Sequence, residues 1–349
     1  MVLKEVEMAK KCIFCGGKPQ NKNKEHVIPQ WLSKYLGRYQ DECDLSPVTD
    51  LKIPFSRLTF PACEKCNSAD SKLEAEAKNV IEKLMESKSV TGTEINVLLD
   101  WFDKLRTGIW LGQLMLTKKI DLMDPNFYIN YRIGTQDRML IIERIDGIGQ
   151  GLGLVGSNTD LFANMPSVFQ VWFHNVLITS ASTPGLVAGK LGFPRLSKLQ
   201  MSNYREATAT LTKGMGKTVH PVVMNIDATD KTIIYQPIFK GFVSHTDLYN
   251  TQYVLQHSYD ANTGLGGVFV QRNNNAIRYL NPDDKVTLMP KMQPKNSEGK
   301  SIKRVYDLQR YLLTDLNDIN SWDAPTQNII KGCLWQNLLY SNAAAKIKS

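Results

Sequence analysis

A chain of 349 residues, 42% hydrophobic and 22% charged, has the composition of a folded protein and is not a disordered polymer. That length suits one large domain or two. A net charge of +8 attracts polyanions, nucleic acid first among them.

The first residues, MVLKEVEMAKK, hold no apolar core of signal-peptide length. The longest apolar runs, such as GIWLGQLML at 108–116, are too short to span a bilayer, so a soluble, cytoplasmic protein is expected. Six cysteines suit that compartment if they bind metal. Cys12 and Cys15 form one C-x-x-C pair, and Cys63 and Cys66 form another. Two such turns supply four thiolates at tetrahedral corners around one Zn²⁺; the alternatives are a redox pair or chance. Four protein ligands leave no open position, so the zinc is expected to be structural and to clamp two distant segments together. Cys43 and Cys333 match no pattern.

Behind the first pair comes Glu25-His26-Val27-Ile28-Pro29, a short β-type segment, and behind the second comes Asn67. The stretch 71–86 sets Leu73, Ala77, Val80, Ile81, Leu84 and Met85 at helical spacing, with Asn67, Ser68, Asp70 and Ser71 as capping residues at its start. Together, CxxC, EHVIP and CxxCN followed by a helix resemble an HNH endonuclease module, a ββα-metal finger, over about residues 10–86. The resemblance implies that Glu25 and Asn67 bind a catalytic Mg²⁺ or Mn²⁺ and that His26 is the general base. It also implies that Cys12, Cys15, Cys63 and Cys66 hold structural zinc. Asp70 is the reserve ligand. Two positions depart from the family pattern: Glu25 stands where Asp or His is usual, and no Asn lies between His26 and Cys66.

Residues 94–117 predict a helix that buries Val97, Leu98, Trp101, Leu105 and Trp110. From about 127 the runs FYINYRIG, RMLIIERI, FQVWFHNVLITS, KTIIYQPIF, QYVLQHSY and GVFVQRN read as strands. Two closing helices are expected near 303–317 and 325–343, with Asp323 as a cap. GLGLVG at 151–156 matches a dinucleotide-loop formula but lacks a following helix. His174, His220, His245 and His257 show no ligand spacing. Basic stretches at 189–198 and 291–304, the latter read as an exposed loop, are solvated charge runs open to phosphate contact.

The expected fold class is α+β: an N-terminal ββα-metal zinc module (1–90), a helical connector (91–120), and a larger mixed domain (121–349) with a mainly antiparallel sheet. The expected function is metal-dependent endonuclease action on double-stranded DNA, in a restriction or anti-phage setting. A partner subunit or homodimer would form through the C-terminal domain, and no membrane is involved. The alternative is a zinc-stabilised nucleic-acid-binding or scaffold protein without catalysis.

Overall fold

The structure is a computed structural model. It describes residues 11–19, 23–26, 28–44, 52–57, 59–116, 128–146, 152–156, 167–183, 196–203, 206–211, 230–238, 265–272, 278–294, 298–317 and 323–347. The fold is mixed α+β with antiparallel sheets, and the described residues include five α-helices. The chain divides into two units: Met1–Glu86 with Thr93–Ile133, and Ser87–Gly92 with Gly134–Ser349. Among the described residues, no helix is long and apolar enough to cross a membrane.

In the first unit, β1 (Asn23–His26) pairs antiparallel with β4 (Thr59–Ala62), Glu25 opposite Phe60 and His26 opposite Thr59. Between them lie α1 (Gln30–Tyr35) and the small ladder of β2 (Glu42–Asp44) with β3 (Lys52–Pro54). β4 runs directly into α2 (Glu64–Met85). The helix starts earlier than the capping residues predicted. Its N-cap is Cys63, in extended backbone (φ −81°, ψ 150°) without a side-chain cap, so Asn67, Ser68, Asp70 and Ser71 lie inside the helix. The predicted apolar stripe is present: Ala77, Val80, Ile81 and Leu84 are buried. After a short excursion the chain returns as α3 (Gly92–Leu116), which buries Leu98, Trp101, Leu105 and Trp110.

One strand expectation is corrected here. Ile129–Tyr131, within FYINYRIG, is a 3₁₀ turn. Two of its backbone N–H groups are taken by the first cysteine turn: Ile129 donates to the Ile13 carbonyl (3.1 Å) and Asn130 to that of Phe14 (2.9 Å).

The second unit is built on a seven-stranded antiparallel sheet. Its strands in chain order are β6 (Asp137–Arg144), β7 (Leu152–Gly156), β8 (Ser167–Phe173), β9 (Val176–Thr183), β12 (Lys231–Gln236), β13 (Val268–Arg272) and β14 (Arg278–Leu280). Their spatial order is β14-β13-β12-β6-β9-β8-β7. A separate hairpin joins β10 (Leu196–Asn203) to β11 (Glu206–Leu211), and β5 (Val90–Thr91) pairs with β15 (Lys285–Val286). Residues of β9 and β12 are buried along their whole length, so neither face of the central sheet is open to water there. Two helices, α4 (Glu298–Asn317) and α5 (Ala324–Ala344), pack together, and the Gln327 N–H bonds the Asp323 carbonyl at the start of α5. Arg304 of α4 pairs with the fully buried Glu143 of β6.

The second part of the basic stretch 291–304 is therefore helix and not loop. Residues 152–156 of the glycine-rich formula form strand β7, where Gly153 and Gly156 pair with Trp172 and Phe169, so these residues make no phosphate loop. Exposed His174 (φ 51°) sits in the β8–β9 turn. His220, His245, His257, QYVLQHSY and most of the 189–198 stretch lie outside the described residues.

Candidate metal centre and active site

The four predicted cysteines converge. Sulfurs at tetrahedral corners about 2.3 Å from a zinc ion lie about 3.8 Å from one another. Cys63 Sγ is 3.8 Å from Cys12 Sγ and 3.9 Å from Cys15 Sγ, and Cys66 belongs to the same group. These separations suit a shared ion and are far beyond disulfide length. The Cys63 backbone N–H donates to Cys12 Sγ (3.2 Å), and Asn130 Nδ2 donates to Cys66 Sγ (3.6 Å), contacts that favour thiolates. Burial pushes the Cys12 and Cys66 thiols up, whereas a hydrogen bond from Cys66 holds Cys63 down. A bound cation would reverse the upward shifts by its own charge. Cys12 is buried, and Gly16 turns beneath it with φ +72° against the Tyr128 ring.

Glu25 and His26 are neighbours on a strand, so their side chains leave on opposite faces. Glu25 joins Asp70 and Glu74, whose carboxylate oxygens and its own all lie within 4.8 Å of one another. Asp70 and Glu74 lie one turn apart on α2, and Asn67 precedes them on the same helical face. The Asn67 backbone is engaged at both ends: its N–H donates to the Cys63 carbonyl (3.0 Å) and its carbonyl accepts from Ser71 Oγ (2.8 Å).

Between the carboxylates stands Lys104 of α3, whose side chain is 3% exposed. Its Nζ lies 2.9 Å from Glu25 Oε1, 2.5 Å from Asp70 Oδ2, and in contact with Glu74 Oε1. Glu74 also accepts from Trp31 Nε1 (2.7 Å) and Trp101 Nε1 (3.1 Å). The ammonium lies 5.9 Å from the centre of the Phe14 ring, within cation–π range. Burial opposes the Lys104 charge, but Glu74, Asp70 and Glu25 outweigh it and hold its pKa above the ordinary value. Burial raises Glu25 and lifts Asp70 to about 7, each against the pull of Lys104. Three hard carboxylates are chemically a Mg²⁺ or Mn²⁺ donor set, yet their demand for a cation is already met by the ammonium. As it stands, the centre does not fit a divalent ion.

His26 faces α1. Gln30 Nε2 donates to its Nε2 (2.5 Å), and Gln30 Oε1 in turn accepts from Lys34 Nζ (3.3 Å). Its Nδ1 is buried without a partner among the described residues. Burial, then Lys34 and Lys24, lower the imidazole pKa, so His26 is held neutral, with its acceptor nitrogen occupied by the Gln30 amide.

Four residues of this site were not singled out from the sequence. Glu74 lies in a charge-rich helical stretch, and Gln30 carries no local signal. Lys104 lies 79 positions from Glu25, and Asn130 lies 64 from Cys66, beyond any motif spacing. No family model matches the chain, and no curated protein or solved structure matches it.

Proposed function

We propose that the chain is a zinc-stabilised endonuclease of HNH type that hydrolyses DNA phosphodiester bonds, with His26 as general base. The observation that carries the reading is the position of His26. A neutral imidazole closes β1, the partner of β1 runs straight into Cys63, and all four sulfurs gather at one ion-sized point. In this reading the zinc is structural and fixes β1 against the start of α2. His26 would accept a proton from the attacking water at Nε2 once the Gln30 amide, which donates to that nitrogen and fixes the ring and tautomer, gives way. The net charge of +8 supplies the affinity for the phosphate backbone. The Mg²⁺ or Mn²⁺ implied by the resemblance would fall to Glu25 and Asn67, of which Glu25 is engaged by Lys104.

That engagement favours a second reading, a zinc-stabilised DNA-binding module without catalysis. Purified zinc-loaded protein incubated with plasmid DNA, with and without added Mg²⁺ or Mn²⁺, separates the two. Nicking is expected with the added ion and is lost in His26→Ala, which keeps DNA affinity because imidazole acts only in the chemical step. General-base removal typically slows a reaction by about 10²–10⁴-fold. Cleavage by His26→Ala at the wild-type rate, or no cleavage by wild type with either ion, refutes the endonuclease reading.

A further inference from the structure

An ammonium has three N–H donors and no acceptor. Lys104 Nζ meets three carboxylates, one for each donor: Glu25, Asp70 and Glu74. Nothing on the cation is left over, and almost none of it is exposed. The arrangement is also built from the anion side. Glu74 is fixed by two indole N–H groups, and Glu25 is presented by a strand register that sets it opposite Phe60. Ionised carboxylates this close and this buried repel one another, and the Lys104 ammonium among them relieves that repulsion. In a surface ion pair the lysine would be free to leave; here it rises from a helix whose neighbouring residues, Trp101, Phe102 and Leu105, are all buried.

We infer that the Lys104 ammonium is the resident cation of the Glu25–Asp70–Glu74 centre, and that a divalent ion engages Glu25 only by displacing it. The inference rests on the proposed function for the identity of the incoming ion, Mg²⁺ or Mn²⁺; the built-in cation itself stands on the contacts alone. Lys104 is in these terms a positioning residue. It locks Glu25 toward the interior and, in the chain free of DNA, keeps a second cation from the carboxylates.

The test uses the full zinc-loaded chain and does not depend on cleavage. Trp31 and Trp101 donate to Glu74, so Tb³⁺ bound at this centre would be excited through their indoles. In wild type free of DNA, no sensitised Tb³⁺ emission that depends on Glu25 is expected, and Mn²⁺ should leave the Tm unchanged. Lys104→Met keeps the side-chain volume and removes the charge. It should lower the Tm, regain much of that loss with Mn²⁺, and show Tb³⁺ emission that Glu25→Gln abolishes in the double variant. A folded Lys104→Met that takes up neither ion overturns the inference. So does emission from DNA-free wild type that Glu25→Gln removes. Should Lys104→Met fail to fold, Lys104→Gln takes its place, and if both fail the wild-type and Glu25→Gln comparison decides alone. Failure of the endonuclease reading appears separately, as absent plasmid nicking, and leaves these readouts unmoved.

Discussion

Replacing Gly16 by alanine should damage the cysteine turn more than its size suggests. Gly16 has φ +72°, a conformation that costs a residue with a Cβ about 1–2 kcal/mol. A Cβ there would lie 2.5 Å from Tyr128 Cε2 and 2.7 Å from Cδ2, whereas carbon atoms pack at about 3.5–4.0 Å. The ring cannot recede freely: Tyr128 is buried, and the next two residues are hydrogen-bonded to Ile13 and Phe14 of the same turn. Overpacking of this kind adds about 1–3 kcal/mol, for a total of about 2–5 kcal/mol. Gly37 supplies the internal control, since its φ is +69° and a Cβ there meets nothing within 4 Å. Gly37→Ala should therefore cost only the backbone share, about 1–2 kcal/mol. Denaturant unfolding of both variants, followed by tryptophan fluorescence and zinc release, measures the difference. A Gly16→Ala, Tyr128→Ala cycle should recover a coupling of about 0.5–3 kcal/mol. If Gly16→Ala costs no more than Gly37→Ala, the close approach to Tyr128 is not a constraint and the reasoning is wrong.

Elemental analysis should find about one zinc per chain, and Cys63→Ser should lose both the metal and cooperative unfolding of the first unit, since metal binding and folding are one event in such sites; retained zinc and an unchanged transition would refute the shared site. Asp70 has a folded pKa raised to about 7 from 3.8, so the folded state keeps a proton that the unfolded chain releases. Its contribution is present below the unfolded value and is lost as pH climbs toward 7. Asp70→Asn should remove that slope, which is bounded by about 1.4 kcal/mol per pH unit. Wild type and variant, unfolded in parallel between pH 5.5 and 7.5, should diverge as pH rises; a constant difference contradicts the assignment.

The parts of the fold legible in the sequence are those set by local pattern. The two C-x-x-C turns and the stripe from Ala77 to Leu84 depend on spacing of three or four residues, and each lies where that spacing puts it. The same holds for the helix around Trp101 and for the strands at 138–145 and 169–180. Tyr128–Gly134 misled for a physical reason. Its alternation of apolar and polar residues from Ile129 to Ile133 suits a strand, but the Ile129 and Asn130 N–H groups are spent on the cysteine turn and those of Tyr131, Arg132 and Ile133 on the 3₁₀ turn itself. The start of α2 lies ahead of the polar residues whose side chains suit a cap, because Cys63 begins the helix without a side-chain cap. Lys104 was invisible for the opposite reason: on an apolar helical stripe a single lysine reads as surface, and only the three carboxylates that fold around it make it an interior residue.

The path of the chain has a consequence for its synthesis. All four cysteines have been made by residue 66, so the zinc turn can close early, but Lys104 follows Glu74 by 30 residues. At about 5–20 residues per second, the carboxylates wait about 2–6 s for their ammonium, open to water and to cellular cations. The segment Ser87–Gly92 then leaves the first unit and offers Val90–Thr91 to Lys285–Val286, made roughly 195 residues later. That two-residue strand stays unpaired for about 10–40 s while the rest is translated. Its brevity is thus a protection on the ribosome, because an edge of two residues gives a neighbouring nascent chain too little to pair with.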